Sequence, residues 1–183
     1  MTAQHRDPLL AAAKLLLMFF IGVLGFAAIA TALGAPLVLI AQDRVVAEIA
    51  AEGIANGPDA IPVLTMLLVG ISALLSLAVW FLVTLLRIVR SVGQGDPFAP
   101  INANRISRMG WIALGGQLLA VPVGAALVWL ANNFSDDRGT LDARVDTDMG
   151  FSGSGILLVL VLFILARVFR HGAAMRDDLE GTV

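Results

Sequence analysis

Four long apolar stretches, spans almost free of charge and a lopsided distribution of basic residues predict an all-α fold. The expected architecture is an integral membrane four-helix bundle, N-in and C-in, with a short cytoplasmic interfacial helix before the third span. The apolar fraction is 58% and only 14% of residues are charged, with a mean hydropathy of +0.89. A soluble domain averages roughly 45–50% apolar and about 25% charged residues. A chain of 183 residues is too short to enclose a core that would absorb such an excess. The solvent for that apolar surface is lipid.

A hydrocarbon layer about 30 Å thick takes roughly 20 helical residues at about 1.5 Å each. Leu15–Ile40, Pro62–Leu86 and Trp111–Ala131 meet that length without a charge, and they define spans at 15–40, 62–86 and 111–131. Pro62 suits a first helical turn, where a missing N–H costs nothing. Trp111 and Trp129 stand near the ends of the third span, at the depth indole rings prefer. The fourth run, Gly153–Ala166, is shorter; a helix continuing through Arg167–Arg170 with snorkelling guanidiniums gives a span at 153–170. The first span passes Ala30-Thr31-Ala32, a small-residue pattern like a cleavage site, and runs on unbroken to Ile40. That length predicts a retained span rather than a cleaved leader.

Basic residues orient the bundle, because Lys and Arg are held on the cytoplasmic side. The N-terminal segment, the loop 87–110 and the tail from Arg167 onward contain nine of the twelve; the loops 41–61 and 132–152 contain three. Acidic residues lean the other way, five against nine. A single topology satisfies every segment: outer loops 41–61 and 132–152, cytoplasmic loop 87–110, cytoplasmic tail 171–183, one membrane domain, and residence in a bacterial cytoplasmic membrane.

In the first outer loop, Glu48 and Glu52 share one helical face while Val45, Val46 and Ile49 share another, which predicts a short amphipathic helix ended by Asn56-Gly57-Pro58. The second outer loop has five aspartates, but their spacing fits no calcium loop and Arg138 and Arg144 lie among them, so no metal site is expected. Cysteine is absent, which removes disulfides and thiolate chemistry. Arg87 and Arg90 close the second span as Arg167 and Arg170 close the fourth, an offset of 80 residues. A parallel repeat of two hairpins would produce this echo, and so would ordinary stop-transfer chemistry, which is the simpler reading.

The cytoplasmic loop is the most informative segment. Gly95-Asp96-Pro97 has turn chemistry, and Phe98 is apolar where the chain re-approaches the headgroups. From Ile101 the pattern turns helical: Ile106 and Met109 share one face, Arg105 and Arg108 another. An interfacial helix feeding the third span follows, its basic side toward lipid phosphates or cytosol. In the tail, Val168, Gly172, Met175 and Leu179 fall on one apolar stripe, followed by Asp177, Asp178 and Glu180. The fourth helix therefore continues into the cytosol with an edge that either rests on its own bundle or docks a partner.

The turn Gly95-Asp96-Pro97-Phe98 followed by Asn102 and Arg105 resembles the signature of the DUF2975 family of small bacterial four-span membrane proteins. So does the tail from Val168 to Val183, with an aromatic, a glycine, an acidic pair and a Thr-Val ending. The family has no agreed function. Its members are often encoded beside a small helix-turn-helix repressor, so the resemblance implies such a regulator as partner.

Inside the spans no charge marks an ion path. Gln117 is the strongest polar group, and Pro122 frees a carbonyl near Leu118; both are candidates for packing or for a solute contact. Small residues at four-residue spacing (Ala27, Thr31 and Ala35; Ser72 and Ser76; Gly116, Ala120 and Gly124) predict close packing among spans one to three, leaving span four the most lipid-exposed. No histidine, lysine or carboxylate lies within a span to activate a hydroxyl, so neither catalysis nor a cofactor is expected. The leading expectation is a regulatory or interaction protein using Gly95, Asp96, Pro97, Phe98, Asn102, Arg105, Arg108, Met175 and Leu179 as its cytoplasmic surface. A small transporter or channel subunit, homo-oligomeric around a path, is the alternative. The basic charge is spread over three segments and is better matched to lipid than to direct binding of nucleic acid.

Overall fold

The structure, a computed structural model, describes residues 8–51, 57–94, 99–134 and 152–180, without the side chains of 57, 134 and 177–180. The described residues form five helices: α1 (Pro8–Ile40), α2 (Gln42–Ala51), α3 (Gly57–Gly93), α4 (Pro100–Phe134) and α5 (Gly153–Glu180). Four of them, α1, α3, α4 and α5, are long and apolar enough to cross a membrane. Each exceeds the apolar run that predicts it, because a helix continues past the hydrocarbon edge for as long as its sequence tolerates it.

Helix starts follow local chemistry. Prolines occupy the first position of α1 and α4, where fixed φ favours a helix and the absent N–H is no loss. In α4 the turn closes by a 2.8 Å bond from the Asn102 N–H to the Ala99 carbonyl. α3 starts at Gly57, a turn earlier than Pro62 suggests, with Pro58 and Asp59 in its first turn; the Asp59 carboxylate complements the positive end of the helix. From Pro100 the chain is helical as expected, but not as a separate short helix: this segment is the first part of α4, continuous with the third span, and its Asn102, Ala103, Ile106 and Met109 are buried in the protein. The short outer-loop helix is present as α2, with Asp43, Arg44 and Glu48 exposed and Val45, Val46 and Ile49 half-buried.

The chain packs as two compact units. Unit 1 comprises the N-terminal part of α1, the C-terminal part of α3, the N-terminal part of α4 and nearly all of α5. Its core is Ile106, Met109, Leu162 and Ala166, with Phe81, Leu85, Ile88, Ala113 and Phe169 packed around it. Gly110 lets α5 approach α4: a Cβ there would lie 3.1 Å from the Phe163 ring. Unit 2 comprises the rest of α1, α2, and the remaining parts of α3 and α4. Leu67, Val123 and Ala126 form its core. Gly70 is its tightest point, since a Cβ there would overlap Cγ2 of Val123.

Two packing expectations change. Gly116 faces open space, and the close approaches fall instead at Gly70 and Gly110; spacing alone does not say which small residue meets a neighbour. Nor is the fourth span the barest. Its apolar window is 17% buried against 11% in each of the first two, because Val159, Leu162 and Ala166 face inward. α1 leaves Leu16, Phe19, Phe26 and Leu33 exposed, and α5 leaves Leu157, Leu160 and Ile164. In water, so many large apolar side chains would drive association; in lipid they are at home.

Candidate functional site

Where α3 ends and α4 begins, unit 1 holds a polar clasp. Asn102 is fully buried, and its side chain meets both neighbouring polar groups. Its Nδ2 donates to Ser91 Oγ at 2.8 Å, and its Oδ1 accepts from Arg105 Nη1 at 3.0 Å. The same Arg105 nitrogen donates to the Arg87 carbonyl at 3.3 Å. A buried amide without partners costs about 1–3 kcal/mol, so the pairing is what lets Asn102 occupy this position. The Arg105 guanidinium thereby lies against the C-terminal part of α3, at the Arg87 carbonyl. The Lys14 ammonium lies farther along, 3.1 Å from where a Gly93 Cβ would stand, at the negative end of the helix. α1 and α4 each place a cation along the C-terminal part of α3.

Around the clasp the remaining cations point outward. Arg87, Arg90, Arg108, Arg167, Arg170 and His171 are exposed. With Lys14, Arg105 and Arg176, unit 1 contains eight described Lys and Arg side chains and no described carboxylate; unit 2 contains Arg44 against Asp43, Glu48 and Asp59. Among the described residues, no group of His, Asp and Glu could hold a metal ion.

The predicted surface residues separate into four sets. Arg108 and Met175 are exposed, as a contact surface requires. Asn102 is a correction: with no accessible area it cannot touch a partner, and it acts from beneath, fixing α3 to α4. Arg105 is half-buried, with one guanidinium nitrogen committed inward. Gly95, Asp96, Pro97 and Phe98 lie outside the described residues, as does the Leu179 side chain. The tail stripe is not the face on which α5 packs: Val168 and Met175 are exposed, while Ala166 and Ala173 are buried. Ser91, Lys14 and Gly93 were not singled out from sequence. The available signal was a hydroxyl one turn before a helix end, facing an amide at the next helix start.

In unit 2, Gln117 Oε1 accepts the Ser152 N–H at 3.3 Å, immediately before α5 begins. Pro122 is half-buried within α4. Ser72 Oγ donates across to the Ala28 carbonyl of α1 at 3.0 Å. Thr31, Thr65, Ser76 and Thr84 each donate to a carbonyl one turn back in their own helix, which satisfies a hydroxyl where water is excluded.

Four apolar helices, hydroxyls satisfied within the helices and cations concentrated in one unit define the class: an all-helical, multi-pass membrane protein. Within that class, residues 3–183 match the family model described as "Protein of unknown function (DUF2975)", and the chain belongs to this family. No curated protein matches it, and no solved structure does.

Proposed function

We propose that the chain is a non-enzymatic interaction protein of a bacterial cytoplasmic membrane, with both termini and the basic end of unit 1 in the cytosol. There it engages a small DNA-binding regulator. One observation supports this reading above the others: the Asn102 clasp fixes the α3–α4 junction so that exposed Arg108 stands on a rigid base in a unit rich in cations. The exposed Val168 and Met175 edge of α5 supplies apolar contact area in the same unit. Neighbourhood with a helix-turn-helix repressor comes from the family resemblance. The solute-path alternative is weakened at Gln117, whose side-chain oxygen accepts the Ser152 N–H.

Photo-crosslinking tests the proposal. A photoreactive residue at Arg108 or Met175 is expected to capture a cytosolic DNA-binding protein in cells, and one at Glu48 is not. Capture from neither unit 1 position, or equal capture from Glu48, would contradict it.

A further inference from the structure

We infer that unit 1 carries a binding site for one anionic phospholipid, built on the outward face of α5 against α4. A groove of about 630 Å³ opens there, lined by Ser107, Phe163, Ala166, Arg167, Arg170 and His171. Its two halves differ in chemistry. Arg167 and Arg170 are three residues apart, so both guanidiniums leave α5 on one face, and His171 follows directly. Ser107 adds a hydroxyl from α4. Among the described residues neither arginine has a carboxylate partner, and the acidic tail begins only at Asp177, about two turns beyond Arg170. Toward the α5 N-terminus the lining becomes apolar, with Phe163 and Ala166, and the same helix exposes Leu160 and Ile164 to the surroundings.

A polar, cationic end joined to an apolar wall is the shape of a phospholipid: phosphate on the guanidiniums, acyl chain along Phe163. Guanidiniums take phosphate oxygens in bidentate pairs, and basic grooves between helices at the membrane surface suit anionic headgroups. A nucleic acid or acidic peptide would match the arginines but would leave Phe163 and the adjoining Leu160 and Ile164 without use. The inference rests on the membrane reading and is independent of any regulator partner.

Trp111 reports on the groove, because its ring meets Phe163 edge-on with centroids 5.4 Å apart. The experiment uses a W80F/W129F protein, which keeps Trp111 alone, in phosphatidylcholine nanodiscs doped with a little bromine-labelled phosphatidylglycerol or bromine-labelled phosphatidylcholine. Labelled phosphatidylglycerol is expected to quench Trp111 with an apparent affinity at least about fivefold higher, a factor of the size one basic residue gives near an anionic surface. R167Q/R170Q should abolish that preference, R167K/R170K should retain part of it, and R87Q/R90Q, which removes equal charge from α3, should leave it intact. Equal quenching by the two lipids would overturn the site. So would an equal loss in R87Q/R90Q, which would assign the effect to the general charge of unit 1. A regulator that fails to bind would leave these results unchanged, so the two proposals fail separately.

Discussion

The two units solve one problem by different means. In lipid, apolar side chains gain nothing by leaving their solvent for a neighbouring helix, so association depends on close fit and on polar bonds between helices. Unit 2 relies on fit: Gly70 admits Val123, and a neutral Ser72 hydroxyl reaches the Ala28 carbonyl. Unit 1 adds a buried amide, a guanidinium and an ammonium, all gathered along the C-terminal part of α3. Exposed cations can share a helix and water at once, whereas charges enclosed by lipid would be costly. Among the described residues of unit 2, the side-chain hydrogen bonds along the spans are neutral.

This contrast can be broken at its strongest point first. Gly70→Leu in unit 2 should produce the largest loss, at the upper end of the roughly 1–3 kcal/mol typical of overpacking, because Val123 is branched at Cβ and cannot swing aside. Thermal unfolding in detergent measures it, and G70A/V123A should recover most of what G70A loses. If G70A alone is neutral, α3 and α4 are not seated as described. Next in size, Asn102→Leu should cost about 1–3 kcal/mol, since it leaves Ser91 without the amide and Arg105 with the Arg87 carbonyl alone. In a cycle with Ser91→Ala the two effects should be clearly non-additive.

Most of the architecture was legible in the sequence, and the part that was not has a physical reason. Span number, the helical start of α4 and the amphipathic α2 all follow from periodicity and proline placement along a single segment. Which residues meet across helices depends on rotation about each helix axis, and apolar runs such as Ile156–Leu165 are too uniform to fix it. Hence Gly116 looked like a contact and Gly70 did not. Asn102 was visible as a notable residue, but its burial was not, because that depends on Ser91 lying eleven positions earlier on α3. The exposure of the Val168/Met175 stripe was hidden in the same way: an apolar stripe in a membrane helix does not say whether it faces protein or lipid.

Smaller effects sharpen the comparison. Gln117→Leu should cost about 0.6–2 kcal/mol by removing its bond with the Ser152 N–H, and Ser72→Ala about 0.6 kcal/mol, both at the scale of neutral bonds in membrane bundles. Losses from either of these two polar substitutions as large as that of Asn102→Leu would erase the distinction between the polar bonds of the two units. Arg90→Gln, exposed on α3, should change stability by less than about 0.5 kcal/mol. Any larger change would show that the outward cations brace the fold rather than face a partner.

The account turns on which side of the membrane holds the cations, and the chain offers a clean background for the test because it has no cysteine. Single cysteines at Arg90 and His171 in unit 1 and at Glu48 in α2 can be challenged with a membrane-impermeant maleimide, on intact cells and after permeabilisation. The account predicts labelling of Glu48→Cys in intact cells, and of Arg90→Cys and His171→Cys only once the membrane is opened. The reverse pattern, or labelling of all three from outside, would contradict it.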